Sequence, residues 1–461
     1  MTRVEAMAAL YAIVGLLAVV WTAVFALRGS LVAGCLLYLI TAICFGHPFW
    51  HQEIGPVPLT LDRLVLLVLV TAYVVQWRLG HTDPKRLDRA DWLLLAFTAV
   101  LVFSTVRLPW QGGFPGGPET VMRLLIGYVT PVCLYWIARQ SRLSEGNVVL
   151  VQAMLACLGV YLAVTGLLEV SGQWWAVFPR HIADPTAGIH FGRARGPMVH
   201  SVTFGLVLAV CLMAAWLWRG RFGRVGQLAW VALVPLLLAG IYLSYTRSVW
   251  MGTALGAMIV LGLTLHGQWR PLVLGSMVAA GLLLALTRMD KLLSFEREYE
   301  AQYTRKSVDL RGSFAYVSWQ MFLDRPLLGT GFNRFPDAKL PYLADRSTGL
   351  ELEAIRPYSH HCTFLSILTE AGLVGLVLFL AVLTSWAFAA WRLIADPRAA
   401  PWARNQAVLL LGAMGVYAVQ GVFHELSYTP IDNSLLFLLA GVTVGLARSG
   451  PSVASNSRLQ G

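Results

Sequence analysis

Two adjacent imidazoles, His360 and His361, stand where a long polar stretch gives way to an apolar one, in Tyr358-Ser359-His360-His361-Cys362-Thr363-Phe364-Leu365. Imidazole takes up a proton near neutral pH, so either ring is a candidate general base. Arginines recur at similar junctions. Arg247 lies in Leu243-Ser244-Tyr245-Thr246-Arg247-Ser248-Val249-Trp250, where two apolar runs leave almost no loop between them. Arg195 precedes Gly196-Pro197 at the start of an apolar run, Arg288 closes one, and Arg311 opens an amphipathic pattern that runs to Phe322. Guanidinium groups form paired hydrogen bonds with phosphate oxygens, and several at one depth suit a diphosphate. Each arginine alone suits the anchoring of a lipid headgroup equally well. A base that deprotonates an acceptor hydroxyl, facing arginines that stabilise charge on a departing diphosphate, is the machinery of glycosyl transfer from a lipid diphosphate.

A divalent ion held by paired carboxylates is the alternative to the arginines. The one mixed cluster is His47-Pro48-Phe49-Trp50-His51-Gln52-Glu53. Its histidines reach ligand spacing only in a helix, which Pro48 permits solely at a first turn, so this aromatic stretch reads as structural and no metal or cofactor is expected. Asp62, Arg63 and Arg123 fall inside apolar runs and need partners, and for the first two an ion pair with each other is expected. Glu169 and the pair His424-Glu425 are expected to line the same cavity as the arginines. Glu296, Glu298 and Glu300 alternate around Arg297 and read as solvated helix faces.

The elements that must carry these residues are set by composition. Hydrophobic residues make up 57% of the 461, and charged ones only 13%. A soluble domain carries about a quarter charged residues, so this is an all-α polytopic membrane protein. Apolar runs near 7–27, 30–46, 59–77, 91–106, 120–138, 148–170, 199–218, 228–245, 248–265, 271–287, 363–391, 407–423 and 431–447 predict about 12 to 13 spans in one transmembrane domain over 1–461. The first run is too long for a cleaved signal and is expected to remain as a span. The cysteines sit mostly in or beside apolar runs and pack as small hydrophobes rather than forming a disulfide framework. The net charge of +11 has no soluble basic domain to present it to nucleic acid, so anionic lipid heads and lipid-linked phosphates are the expected partners.

Lys and Arg concentrate in alternate short loops, among them 78–89, 139–142, 219–224 and 392–404. The positive-inside rule makes that set cytoplasmic and turns two long loops outward, a smaller one at 171–198 and a larger one at 288–361. The basic residues of those loops thus lie on the side where such residues are scarce.

At four stretches the chain resembles the bacterial O-antigen ligase and O-antigen polymerase superfamily. They are Arg193-Ala194-Arg195-Gly196, the turn Thr246-Arg247-Ser248, the stretch from Arg311 through Pro326-Leu327-Leu328-Gly329-Thr330-Gly331-Phe332-Asn333-Arg334-Phe335, and His361 to Gly375 with its Glu370-Ala371-Gly372-Leu373-Val374-Gly375. The resemblance implies a lipid-dependent, GT-C-like glycosyltransferase fold with a large periplasmic loop capping the site. It also implies metal-independent, inverting transfer of a glycan from undecaprenyl diphosphate at the periplasmic face of the inner membrane. By position it puts the catalytic histidine at His361 and essential arginines at Arg247 and Arg311, with Arg195 and Arg288 as further diphosphate ligands. The chain departs from the family pattern at Cys362, where an Asn commonly follows the histidine, which keeps His360 as a second candidate base. The acceptor is lipid A core oligosaccharide for a ligase, the preferred reading, or a second lipid-linked glycan for a polymerase. A polysaccharide or lipid transporter is a third reading; it would favour inverted repeats, and none is clear in the sequence.

Overall fold

The computed structural model describes residues 20–53, 57–107, 119–221, 223–293 and 301–448. Most of them, 76%, are helical, as backbone in lipid must be when it has only itself to hydrogen-bond. The helices are α1 Leu31–Cys44, α2 Leu61–Arg78, α3 Arg89–Val106, α4 Thr120–Gln140 with one π turn at Leu125–Val129, α5 Glu145–Val170 and α6 Ser201–Trp218. They continue as α7 Gly223–Leu243, α8 Arg247–Thr264, α9 Trp269–Leu293, α10 Ala301–Asp324, α11 Thr363–Ala395, α12 Pro401–Phe423 and α13 Pro430–Arg448. Strands are confined to an antiparallel ribbon of β1 His51–Gln52 and β2 Leu59–Thr60, paired His51 with Thr60 and Gln52 with Leu59.

Nine of these helices are long and apolar enough to cross a membrane: α3 to α8 and α11 to α13. The chain is thus a multi-pass membrane protein. Of the other expected spans, α1 and the apolar part of α9, Trp269–Leu283, are shorter. α2 has the length but carries Asp62, Arg63 and Arg78, and the run at 7–27 lies mostly outside the described residues.

α13 is the central post, buried along almost its whole length from Ile431 to Leu446. Small residues let its neighbours close on it: Gly441 sits against the Tyr135 backbone and Gly445 against that of Arg139, both on α4. Gly256 of α8 and Gly412 of α12 meet in the same way. With no hydrophobic drive between helices in lipid, close backbone approach of this kind supplies the packing energy. At one end Arg139 is locked by Asp91 at 2.5 Å, which also accepts from the Tyr135 hydroxyl.

The polar stretch between α9 and α11 builds a structure of its own. α10 turns Phe314, Val317 and Met321 inward, the i, i+3, i+7 spacing of an amphipathic helix. Phe335, Leu343, Leu352 and Ile355 pack on that face and make a second, smaller core. Lys339, buried at the centre, donates to the carbonyls of Ile355 (2.7 Å) and Tyr358 and so fixes the turn that leads to the histidines.

α11 is interrupted. Gly372 takes φ +69°, ψ −168° in mid-helix, a conformation that only glycine adopts without strain. The backbone groups freed there are re-paired by the Pro326-Leu327-Leu328-Gly329-Thr330-Gly331 run. Leu373 N–H donates to Pro326 C=O (2.8 Å) and Val374 N–H to Leu327 C=O (3.3 Å), while Thr330 and Gly331 N–H donate to Thr369 and Glu370 C=O (2.8 and 3.0 Å). The two glycine-rich motifs are therefore halves of one backbone lock. A Cβ at Gly372 would run into the Leu327 carbonyl. Gly372→Ala is expected to destabilise the protein by about 2–4 kcal/mol in thermal unfolding in detergent. Gly275→Ala, whose Cβ meets nothing within 4 Å, is expected to stay within about 0.5 kcal/mol of wild type.

Candidate active site

Arg123 is fully buried near the start of α4 and gathers four segments around its guanidinium. Nη1 donates to both Glu370 oxygens (2.9 and 2.8 Å) and to Asn333 Oδ1 (3.1 Å), Nη2 to Ser366 Oγ (2.9 Å), and Nε to Ser427 Oγ (2.9 Å). Glu425 adds a second carboxylate at 3.5 Å, and the rings of Phe332 and Tyr428 stack at 4.7 and 4.6 Å. A buried charge survives only when paired and hydrogen-bonded throughout, and every donor here has a partner. Glu370, the acid of the Glu-x-Gly motif, is thus a partner of Arg123 rather than a free carboxylate.

The loop that leaves the smaller core delivers the two histidines into different settings. His360 is 1% exposed, its Nε2 is 2.8 Å from Thr369 Oγ1, and its ring lies 3.6 Å from that of Phe335. Thr369 Oγ1 already donates to Leu365 and Ser366 carbonyls, so His360 Nε2–H is the donor and the ring is neutral. Burial, then the Arg123 charge, hold its pKa well below the ordinary imidazole value. This corrects the expectation that either ring faces the acceptor: His360 is enclosed by the lock it helps to close. His361 is exposed, with Phe314 edge-on at 4.9 Å and Tyr358 at 5.9 Å. The surrounding protein displaces enough water to depress its pKa to about 4, helped by the charges of Arg311 and Lys339. At neutral pH His361 carries an open lone pair.

Arg311, on α10, is exposed and lies 5.2 Å over the Phe423 ring. Its pKa is lowered first by burial and then by the like charge of Arg247, which caps the first turn of α8. Arg311 therefore shares one electrostatic neighbourhood with Arg247 and another with His361. Arg195 departs from the expected role. It is wholly buried, pairs with Glu169 at 3.1 Å, and donates to the carbonyls of Ala187 (2.6 Å), Ile182 (2.9 Å) and Asp184 (3.3 Å). Its guanidinium is occupied in holding the 182–196 loop, and Glu169 is its counter-ion rather than part of a cavity wall. The Arg288 side chain, with Glu296, Arg297, Glu298 and Glu300, lies outside the described residues.

Three further histidines, which no local pattern in the sequence marked as a group, close the neighbourhood. His190 Nδ1 is 2.8 Å from Ser201 Oγ, and its ring is 5.9 Å from that of His200. His200 Nδ1 meets Thr203 Oγ1 at 3.0 Å at the start of α6. His424 Nε2 is 2.9 Å from Ser248 Oγ, one residue beyond Arg247. Burial lowers the pKa of His190 to about 3, of His200 to about 4, and of His424 well below the usual value. Among the described residues, the non-glycine positions with φ > 0 are His190, Val199, Tyr245 and Asn333. All four lie in the segments that converge here. Such conformations cost about 1–3 kcal/mol each and cluster where function fixes the backbone.

Elsewhere the structure departs from two expectations. Asp62 and Arg63 do not pair with each other, because neighbours on a helix diverge by about 100°. Arg63 instead donates to the Pro58 carbonyl and contacts Met122 Sδ at 3.4 Å. His47, His51 and Glu53 converge without a helix: the two rings stack at 4.0 Å, and one ligand atom from each of the three residues lies within 4.8 Å of the others, all exposed. Stacking and an approach of His51 Nδ1 to the His47 carbonyl at 3.0 Å account for that geometry.

Removing one partner of a buried ion pair strands the other. Arg123→Met is expected to destabilise by about 3–5 kcal/mol. The double variant Arg123→Met, Glu370→Leu should recover a large part of that loss, read as a positive coupling energy in a double-mutant cycle of unfolding free energies.

No curated protein matches the chain. A family model described as O-Antigen ligase matches residues 231–380, a stretch that runs from α7 through Arg247, Arg311, the backbone lock and His361 into α11. Over residues 231–380 the chain is therefore similar to the O-antigen ligase family.

Proposed function

We propose that the protein transfers a preassembled glycan from undecaprenyl diphosphate to a sugar hydroxyl of lipid A core, on the periplasmic face of the bacterial inner membrane. The family match supports a ligase-type membrane glycosyltransferase. The observation that carries the finer reading is the exposed, neutral His361 in the field of Arg311, which itself lies in that of Arg247. His361 removes the acceptor hydroxyl proton as the oxygen attacks the anomeric carbon. The bond from that carbon to the diphosphate oxygen breaks, the configuration inverts, and the departing charge settles on Arg247 and Arg311. Arg288 is a further candidate for the diphosphate. Arg195 serves by shaping the 182–196 loop. The arginines fill the role a divalent ion takes in other diphosphate-dependent transferases. The segment 288–361 caps the site and leaves room for a bulky glycan.

His361→Ala is expected to lower kcat by about 10²–10⁴-fold while donor affinity stays within about threefold. Wild-type turnover in that variant would overturn the general-base role. Arg311→Lys keeps the charge but loses the paired geometry, so it should retain more activity than Arg311→Ala and less than wild type. Product analysis by mass spectrometry, with purified protein, lipid-linked donor and each acceptor, separates ligase from polymerase: chains elongated on the diphosphate lipid with no core-linked product would establish the latter.

The depressed pKa of His361 gives a signed pH dependence. The active form is neutral, so activity is present above the folded pKa and is lost as pH falls through it. In the free enzyme that puts the acid limb of kcat/KM near the depressed value of about 4. A bound diphosphate offsets the Arg311 charge and raises the imidazole pKa, so the acid limb of kcat is expected at higher pH than that of kcat/KM. Coincident limbs in steady-state pH profiles would contradict this electrostatic coupling.

A further inference from the structure

A second cavity of about 550 Å³ opens on the same end of the bundle, between the β1–β2 ribbon, the start of α4 and the loop before α13. That size is within the range of about 300–1,000 Å³ typical of small-molecule sites. Its polar lining comes from His47, Glu53, Thr60, Asp62, Arg63, Glu119 and Thr429. Thr60 is 0% and Asp62 5% exposed. Among the described residues, Thr60 Oγ1, Asp62 Oδ1 and Arg63 Nε have no hydrogen-bond partner. Other buried polar atoms are also without a partner, but these three line one cavity, where a bound molecule could supply it.

The chemistry of the three orphans selects that partner. A cation satisfies Asp62 and is repelled by Arg63. An inorganic anion satisfies Arg63 and is repelled by Asp62, Glu53 and Glu119. A sugar satisfies both, because each hydroxyl donates to a carboxylate and accepts from a guanidinium N–H. The rest of the wall is also suited to a sugar. Pro48, Pro58, Pro197 and Pro430 present flat C–H surfaces beside the Tyr428 ring.

One loop separates this cavity from the proposed base. Tyr428 lines it and stacks on Arg123, and four residues back in the same loop His424 contacts Ser248 beside Arg247. Pro197 and Met198 line it from the segment that leads into His200. We infer that this cavity is a glycan subsite, holding a sugar unit of the acceptor or of the donor chain while the reacting end lies at His361. The inference rests on the glycosyl-transfer reading for which glycans to test, not for the cavity's ability to bind one.

Saturation-transfer NMR on the full chain in nanodiscs provides the test, with two probes: core oligosaccharide freed of lipid A, and glycan released from the diphosphate lipid. At least one should bind, and Asp62→Asn should weaken it about tenfold, the loss of one charge-assisted hydrogen bond. The probe affected identifies the acceptor or the donor as the source. Glu119→Gln, at the exposed rim, is a second variant that leaves the interior intact and should weaken the same probe. His361→Ala should bind both probes as wild type does. Glycan affinity unchanged in Asp62→Asn and Glu119→Gln, or a cavity that answers only to added magnesium, overturns the subsite. Wild-type transfer in His361→Ala with glycan binding weakened in Asp62→Asn overturns the base alone, and transfer lost in His361→Ala with glycan affinity unchanged in Asp62→Asn and Glu119→Gln overturns the subsite alone.

Discussion

The arrangement depends on one buried cation. Arg123 ties α4 to the start of α11, to the segment after the Pro-Leu-Leu-Gly run and to the loop before α13, and each of those pieces carries or supports a residue at the reactive end. Burying that charge costs several kcal/mol, recovered only if every donor is met. The positions of Asn333, Ser366, Glu370, Glu425 and Ser427 are thereby specified together. An apolar cluster of equal volume would hold the helices as firmly but would not dictate which serine or amide stands where.

The division of labour between the two histidines follows from the same frame. Thr369, which accepts from His360, gives its carbonyl to Thr330 and directly precedes Glu370, the partner of Arg123. His360 belongs to the interior of the lock. The chain then has two residues, His361 and Cys362, before α11 starts at Thr363, and of these His361 is the exposed one. Lys339 adjusts the approach from the other side: burial brings its pKa down to about 8, and it spends its donors on the carbonyls of the turn.

The parts of this protein legible in sequence are those imposed by solvent. Lipid demands long apolar helices, so the spans from α3 to α8 and α11 to α13 fell close to the expected ranges, and the amphipathic period of α10 was readable because one face had to be covered. Junction residues such as Arg247, Arg311 and His361 were readable as polar groups at the ends of apolar runs. What was not readable is partnership. Arg195 looks like Arg247 in sequence, since both are arginines at the start of a span. Only the fold brings Glu169, from the previous helix, against one and not the other. In the same way the Glu-x-Gly motif and the Pro-Leu-Leu-Gly-x-Gly run read as two signatures of a family and not as two sides of one set of backbone hydrogen bonds. His190, His200 and His424 carry no spacing that links them as a group, because their proximity comes from two separate loops.

The interruption at Gly372 bears on how the chain reaches this state. As synthesised, α11 is the most apolar span, with mean hydropathy 2.3 over its best window, and it can enter the bilayer without help from the rest of the protein. It cannot complete its own hydrogen bonds there. The carbonyls of Thr369 and Glu370 and the amides of Leu373 and Val374 stay unmatched until residues 326–331, made earlier and waiting at the membrane surface, dock onto the gap. In lipid no water relieves that deficit. Assembly of the reactive end thus completes the integration of the span, and a chain that inserts without docking retains an uncovered polar break in the bilayer.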